Sequence, residues 1–247
     1  MRNIRSITSY VLVLLSLSIF VSCSESDNVI TPKQQTFLSV TPGKYLSEYT
    51  QAEWDVLDEA KSRLNIVTTP DGLSYITELS GNEVNISEEL YDKIKIMIEN
   101  GNNLITGAKK SQTRMSGDDC VANCIVELGR RLGSTMNAPL IKQWINNQCE
   151  GIGVPESRVL EMVQRWLIAH SIGTPISTAA WADGPIMAVV LGNHAVVVDE
   201  LLAQEIRIFD QDLVSTDPAM PHDGYATIPA LYVSSAIQAT GVVGGGN

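Results

Sequence analysis

The sequence predicts an α+β fold. Apolar residues recur at helical spacing from Thr50 to His170. After Gly173 the texture changes to short β-branched runs separated by turn residues, as antiparallel strands require. The two textures do not alternate, and there is no internal repeat, so a βαβ succession with a parallel sheet is not expected.

The chain opens on Arg2 and Arg5, followed by the apolar run YVLVLLSLSIFV and then FVSC. This is the layout of a secretory signal rather than of a structural helix. The small residue before Cys23 resembles the lipobox of bacterial lipoproteins, in which the cysteine is diacylated and becomes the mature N-terminus. Residues 1–22 are therefore expected as a signal peptide and Cys23 as the lipidated residue. The protein would then be held at a membrane of the bacterial cell envelope, the outer membrane, without spanning it. Residues 23–42 are polar, rich in Ser, Thr, Gln and Pro, and read as a tether.

Two helices follow. In TQAEWDVLDEAKSRL, Thr50 and Glu53 make a capping box, and Trp54, Leu57 and Leu64 share a face. In SEELYDKIKIMIENG, Ser87 is the N-cap, Leu90, Ile94, Met97 and Ile98 form a stripe, and Gly101 is expected to stop the helix. The stripes read as core-packing faces. Residues 43–108 are thus a helical N-terminal segment, either a spacer or a pro-segment over a cleft. Residues 109–117 hold Gly, Ser and basic side chains and read as a linker suited to proteolytic nicking between Lys109 and Met115.

Residues 118–240 form the main domain. Helices are expected from Cys120 to Leu132, over APLIKQWINNQC, and over PESRVLEMVQRWLIAH. Strands are expected at GPIMAVVL, HAVVVDEL and EIRIFDQDL. YATIPALYVSSAIQA is ambiguous between helix and strand, and GVVGGGN reads as a frayed tail.

Composition excludes some functions. The net charge is −11, and losing Arg2 and Arg5 with the signal makes it two units more negative. Without a basic stripe, such a chain is repelled by nucleic acid and by anionic lipid surfaces. With Cys23 lipidated, Cys120, Cys124 and Cys149 remain. Three is an odd number, so at least one thiol stays unpaired in an exported protein.

GDDCVANC places that thiol. Asp118 or Asp119 is expected to cap a helix, which puts Cys120 in the first turn. Unpaired N–H groups and the helix dipole there favour the thiolate. Cys124, among Ala122, Ile125 and Leu128, reads as a buried helix residue. A thiolate nucleophile needs a base. His170 at a helix end and His222 in a Pro/Asp/Gly loop are weaker candidates than His194, which opens the run HAVVV after a turn at Gly192 and so sits on a rigid strand end. Asp210 closes the neighbouring strand EIRIFD and can face His194 across the hairpin. Asp212 shares its parity and competes with it.

The order Cys, His, Asp, with the cysteine on a helix and the others on a sheet, is the papain-like arrangement. DCVANC resembles the DCGxAC signature of bacteriocin-processing peptidases, the cysteine protease domains of double-glycine-leader exporters. GNHAVVV resembles their GHFVVL block and IRIFDQD their VYIADP block, and GTPISTAAWADGPIMAVV is similar to the segment leading to the histidine in papain-like folds. The resemblance spans Gly117 to about Leu213. It implies a papain-like cysteine peptidase acting on a peptide or protein, with Cys120 as nucleophile, His194 as base and Asp210 as orienting residue. The family also places an oxyanion-hole glutamine six residues before the cysteine. Arg114 stands there, and Gln112, two residues earlier, is the candidate.

Neither metal nor cofactor is expected. Zinc held by Cys120, Cys124, Cys149 and His194 matches no common spacing. Two other readings stay open. One is a cell-wall amidase or acyltransferase using the same triad. The other is an inactive surface-lipoprotein binding module with Cys124 and Cys149 bridged.

Overall fold

The computed structural model describes residues 36–110, 119–150, 153–215 and 222–244. The signal peptide, Cys23, Gln112, Arg114 and nearly all of the expected linker lie outside them. Phe37–Asn247 forms one unit, in which the sheet is antiparallel throughout and the fold is α+β.

Helix α1 spans Gln51–Arg63. Thr50 accepts from the Glu53 N–H while Glu53 accepts from the Thr50 N–H, so the capping box read from the sequence is present on both sides. A hairpin of β1 (Ile66–Thr68) and β2 (Ser74–Ile76) follows, tightened by Gly72 at φ +84°. These strands are three residues each, too short to show a period in the sequence.

Helix α2 runs over Glu88–Lys110, straight through Gly101. The expected stop is overturned for a packing reason. A Cβ on Gly101 would stand 2.1 Å from the Thr227 carbonyl oxygen, so the glycine lets the helix touch the backbone of a strand. That strand is β7 (His222–Pro229), the edge of the main sheet, and the Asn100 Nδ2 donates to the outward Tyr225 carbonyl at 3.0 Å. The helix thereby covers an edge that would otherwise offer unpaired main-chain groups.

Helix α3 is Cys120–Arg131, followed by α4 (Ala138–Cys149) and α5 (Glu156–Gln164). The third expected helix ends six residues early, for Leu167–Ile172 is strand β3, paired with the last strand β8 (Val233–Val242). Ladder pairing wins there over local helical spacing. Gly241 and Val242, expected as frayed, pair with Ile168 and Leu167. After the short α6 (Thr178–Ala182) come β4 (Ile186–Val190), β5 (His194–Leu201) and β6 (Glu205–Ser215). The order across the sheet is β3-β8-β4-β5-β6-β7.

Strands β4 and β5 are buried on both faces, which explains their unbroken apolar runs. Met187, Val189, Ala195 and Val197 pack with α3, α4 and α5. Ile186, Ala188, Val196, Val198, Ile206 and Ile208 pack with Leu104 and Ile105 of α2. The N-terminal segment is therefore built into the same core as the sheet. A second tie is Arg207 on β6, which is buried, pairs with Asp58 of α1 at 3.1 Å and with Asp199 of β5 at 3.1 Å, and lies 3.8 Å from the Trp54 ring centre.

Candidate active site

Cys120 is the first residue of α3. Asp119 occupies the N-cap position but does not cap. Its backbone is already helical, and its carboxylate pairs with Lys142 of α4 at 2.8 Å. Asp118 lies outside the described residues. The first turn is instead seated by burial: Val121, Ala122, Cys124 and Ile125 all enter the core against β4 and β5.

His194 begins β5 directly after a tight β4–β5 turn in which Leu191 and Gly192 take φ of 50° and 73°. The register pairs it with Val190, the last residue of β4. Asp210 lies on β6 at the same end of the sheet, since Val197 pairs with Phe209 and the strands are antiparallel. The result is a hydrogen bond of 2.7 Å between His194 Nε2 and Asp210 Oδ2. The Cys120 side chain acts on the same imidazole and helps to raise its pKa. With Nε2 engaged by Asp210, Nδ1 is the ring nitrogen that remains.

Asp210 is held on its other side as well. The ladder between β6 and β7 is irregular from Phe209 to Val214, and there the Asp212 main-chain N–H turns to donate to Asp210 Oδ1 at 3.0 Å. Gly224, at φ +81°, faces this bulge, and a Cβ on it would lie 2.5 Å from the Asp210 carbonyl oxygen. Asp212 itself does not carry the imidazole bond. Burial and the Asp210 charge push its carboxyl above the usual range, and its Oδ1 accepts from Asn123 Nδ2 at 3.2 Å.

The three residues are enclosed, with Cys120, His194 and Asp210 exposed to 2, 8 and 5%. Burial, the largest influence on His194, pulls its pKa down. The hydrogen bonds to Asp210 and Cys120, with the charges of both, together outweigh it and raise the pKa from 6.5 to about 10. The imidazole is therefore held as a cation through the neutral range, facing the sulfur on one side and the carboxylate on the other.

The remaining candidates fall elsewhere. His170 is exposed on β3, and His222 begins β7. Cys124 is fully buried, and that burial keeps it a neutral thiol by pushing its pKa well above normal, with the charges of Cys120 and Asp210 adding to the effect. Cys120, Cys124 and Cys149 are all free, so the bridge between Cys124 and Cys149 expected with the inactive binding module is not formed. Nor do the three cysteines gather around His194. Among the described residues, the group of candidate metal ligands is His194, Asp210 and Asp212, with ligand atoms within 4.8 Å of one another. Asn123 is the site residue that sequence reasoning missed. Its position one turn after Cys120 put it on the nucleophile's side of the helix, but its partner lies on a distant strand.

No family model and no curated protein matches the chain.

Proposed function

We propose that the protein is a papain-like cysteine peptidase, tethered to the cell-envelope membrane through a lipid on Cys23. The observation that carries the reading is the buried imidazole of His194, bonded to Asp210 at 2.7 Å and acted on by Cys120 at the head of α3. In this reading the Cys120 sulfur attacks the carbonyl carbon of a peptide bond. His194 Nδ1–H then protonates the departing amine, leaving an acyl-thioester on Cys120. The neutral imidazole next takes and keeps a proton from water, whose oxygen attacks the thioester; the sulfur is expelled as the acid leaves, and the imidazolium is restored. Asp210 fixes the ring orientation and stabilises the imidazolium, much as the acid of a serine triad does. The main-chain N–H of Cys120, at a helix N-terminus, is one donor for the developing oxyanion. Gln112, the expected second donor, lies outside the described residues.

The same chemistry serves peptide, cell-wall amide and acyl-transfer substrates, and the assay must separate them. Purified protein lacking the signal peptide is incubated with unfolded protein, with peptidoglycan fragments, and with an amine acceptor plus a glutamine-containing peptide. Peptide-bond hydrolysis is the expected activity, and Cys120→Ala should lower it by about three orders of magnitude or more. Release of cell-wall amides or amine incorporation without peptide hydrolysis would replace the peptidase reading by the corresponding alternative.

A further inference from the structure

Asn123 follows Cys120 by three residues on α3, so both side chains leave the same side of the helix. The Asn123 amide donates to Asp212 Oδ1 at 3.2 Å, across 89 residues of sequence. The Asp212 N–H donates to Asp210 Oδ1 at 3.0 Å, and Asp210 Oδ2 meets His194 Nε2 at 2.7 Å. The hydrogen bonds form a chain that runs from the first turn of α3, through β6, to the imidazole whose pKa Cys120 helps to raise.

The rest of that turn is held by apolar contacts. Val121, Ala122 and Ile125 anchor the helix in the core, yet such contacts are non-directional and leave a small slide or roll along β6 inexpensive. A directional bond beside the nucleophile removes that freedom. We propose that Asn123 is a positioning residue, whose bond to Asp212 clamps the nucleophile helix to β6 and so sets the approach of the Cys120 sulfur to the His194 imidazole. This rests on the cysteine-hydrolase reading above. It also gives a reason for an asparagine at a position where the resembling peptidases carry a small residue.

The test is the second-order rate of iodoacetamide alkylation of Cys120 at neutral pH, read by mass spectrometry on folded protein, with the thermal midpoint measured in parallel. Asn123→Ala should slow alkylation about fivefold to tenfold, the cost of a modest misalignment, while the midpoint stays close to that of the parent. Asn123→Asp sets two carboxylates against each other and should slow it at least as much. Adding Asp212→Asn to Asn123→Asp restores an amide–carboxylate pair with donor and acceptor exchanged, and should bring the rate back to within about twofold of the parent, a rescue that a purely structural role would not predict. An unchanged rate in Asn123→Ala, or no recovery in the exchanged pair, overturns the clamp. His194→Ala is the control. If it slows alkylation while Asn123→Ala does not, the clamp alone fails; if it too leaves the rate unchanged, the thiol–imidazole reading beneath it fails.

Discussion

A chain beginning at Ser116 is expected to lose its cooperative fold. Helix α2 brings Leu104 and Ile105, exposed to 7 and 1%, into the cluster that also holds Ile186, Ile206, Ile208 and Ile228. Burying two such side chains contributes roughly 3–6 kcal/mol by area bookkeeping, before counting the strand residues they cover. The truncation also bares the β7 edge, where Asn100 meets Tyr225, and removes Asp58 and Trp54 from the buried Arg207. Against a domain stability of roughly 5–15 kcal/mol, these losses are decisive. The segment 43–108 thus reads as part of the body rather than as a removable pro-segment. Urea unfolding followed by circular dichroism compares the full mature chain with the truncated one. A truncated chain with a sharp transition, near-parent stability and higher hydrolytic activity would revive the pro-segment.

The second large effect is expected at His194. His194→Ala should lower kcat/KM for peptide hydrolysis by about 10²–10⁴-fold, the usual worth of a positioned acid–base group. Asp210→Asn should cost less, because the ring keeps a hydrogen-bond partner, and it should also move the pH profile. The sign follows from the raised pKa: the imidazolium, favoured by the fold, is fully present below the unfolded value of 6.5 and is lost as pH rises through about 10. Activity that needs this cation should therefore hold through the neutral range and decline on the far alkaline side. Removing the Asp210 charge brings the alkaline limb down toward neutrality. Stability derived from the same proton moves with it, so the variant should lose less stability than the parent between neutral and alkaline pH. A limb that stays in place in Asp210→Asn would separate the carboxylate from the imidazole.

The site was more legible in the sequence than the fold around it. Cys120 stood at the head of an amphipathic run, His194 opened a β-branched one, and Asp210 lay at the end of the next strand; all three are local signals, and the structure brings these residues together. The choice of Asp210 over Asp212 depends on something less local. The irregularity after Phe209 turns the Asp212 N–H toward Asp210, and nothing within DQD announces a bulge. Gly101 reads as a stop in the sequence because a glycine at a helix stop and a glycine at a helix–strand contact look alike until the strand is in place. β3 was misread because its residues keep a helical spacing that the ladder to β8 overrides. The role of Asn123 was invisible for the same reason, its partner being remote in sequence.

In the proposed mechanism His194 makes Cys120 a reactive nucleophile. The most direct measurement is labelling with a thiol-directed epoxide at neutral pH, quantified separately at Cys120, Cys124 and Cys149 by mass spectrometry, in the parent and in His194→Ala. Selective labelling of Cys120 is expected, faster than at Cys124 or Cys149 by about two orders of magnitude or more, and abolished in His194→Ala. Slow and equal labelling of all three cysteines, unchanged when His194 is removed, would contradict the account.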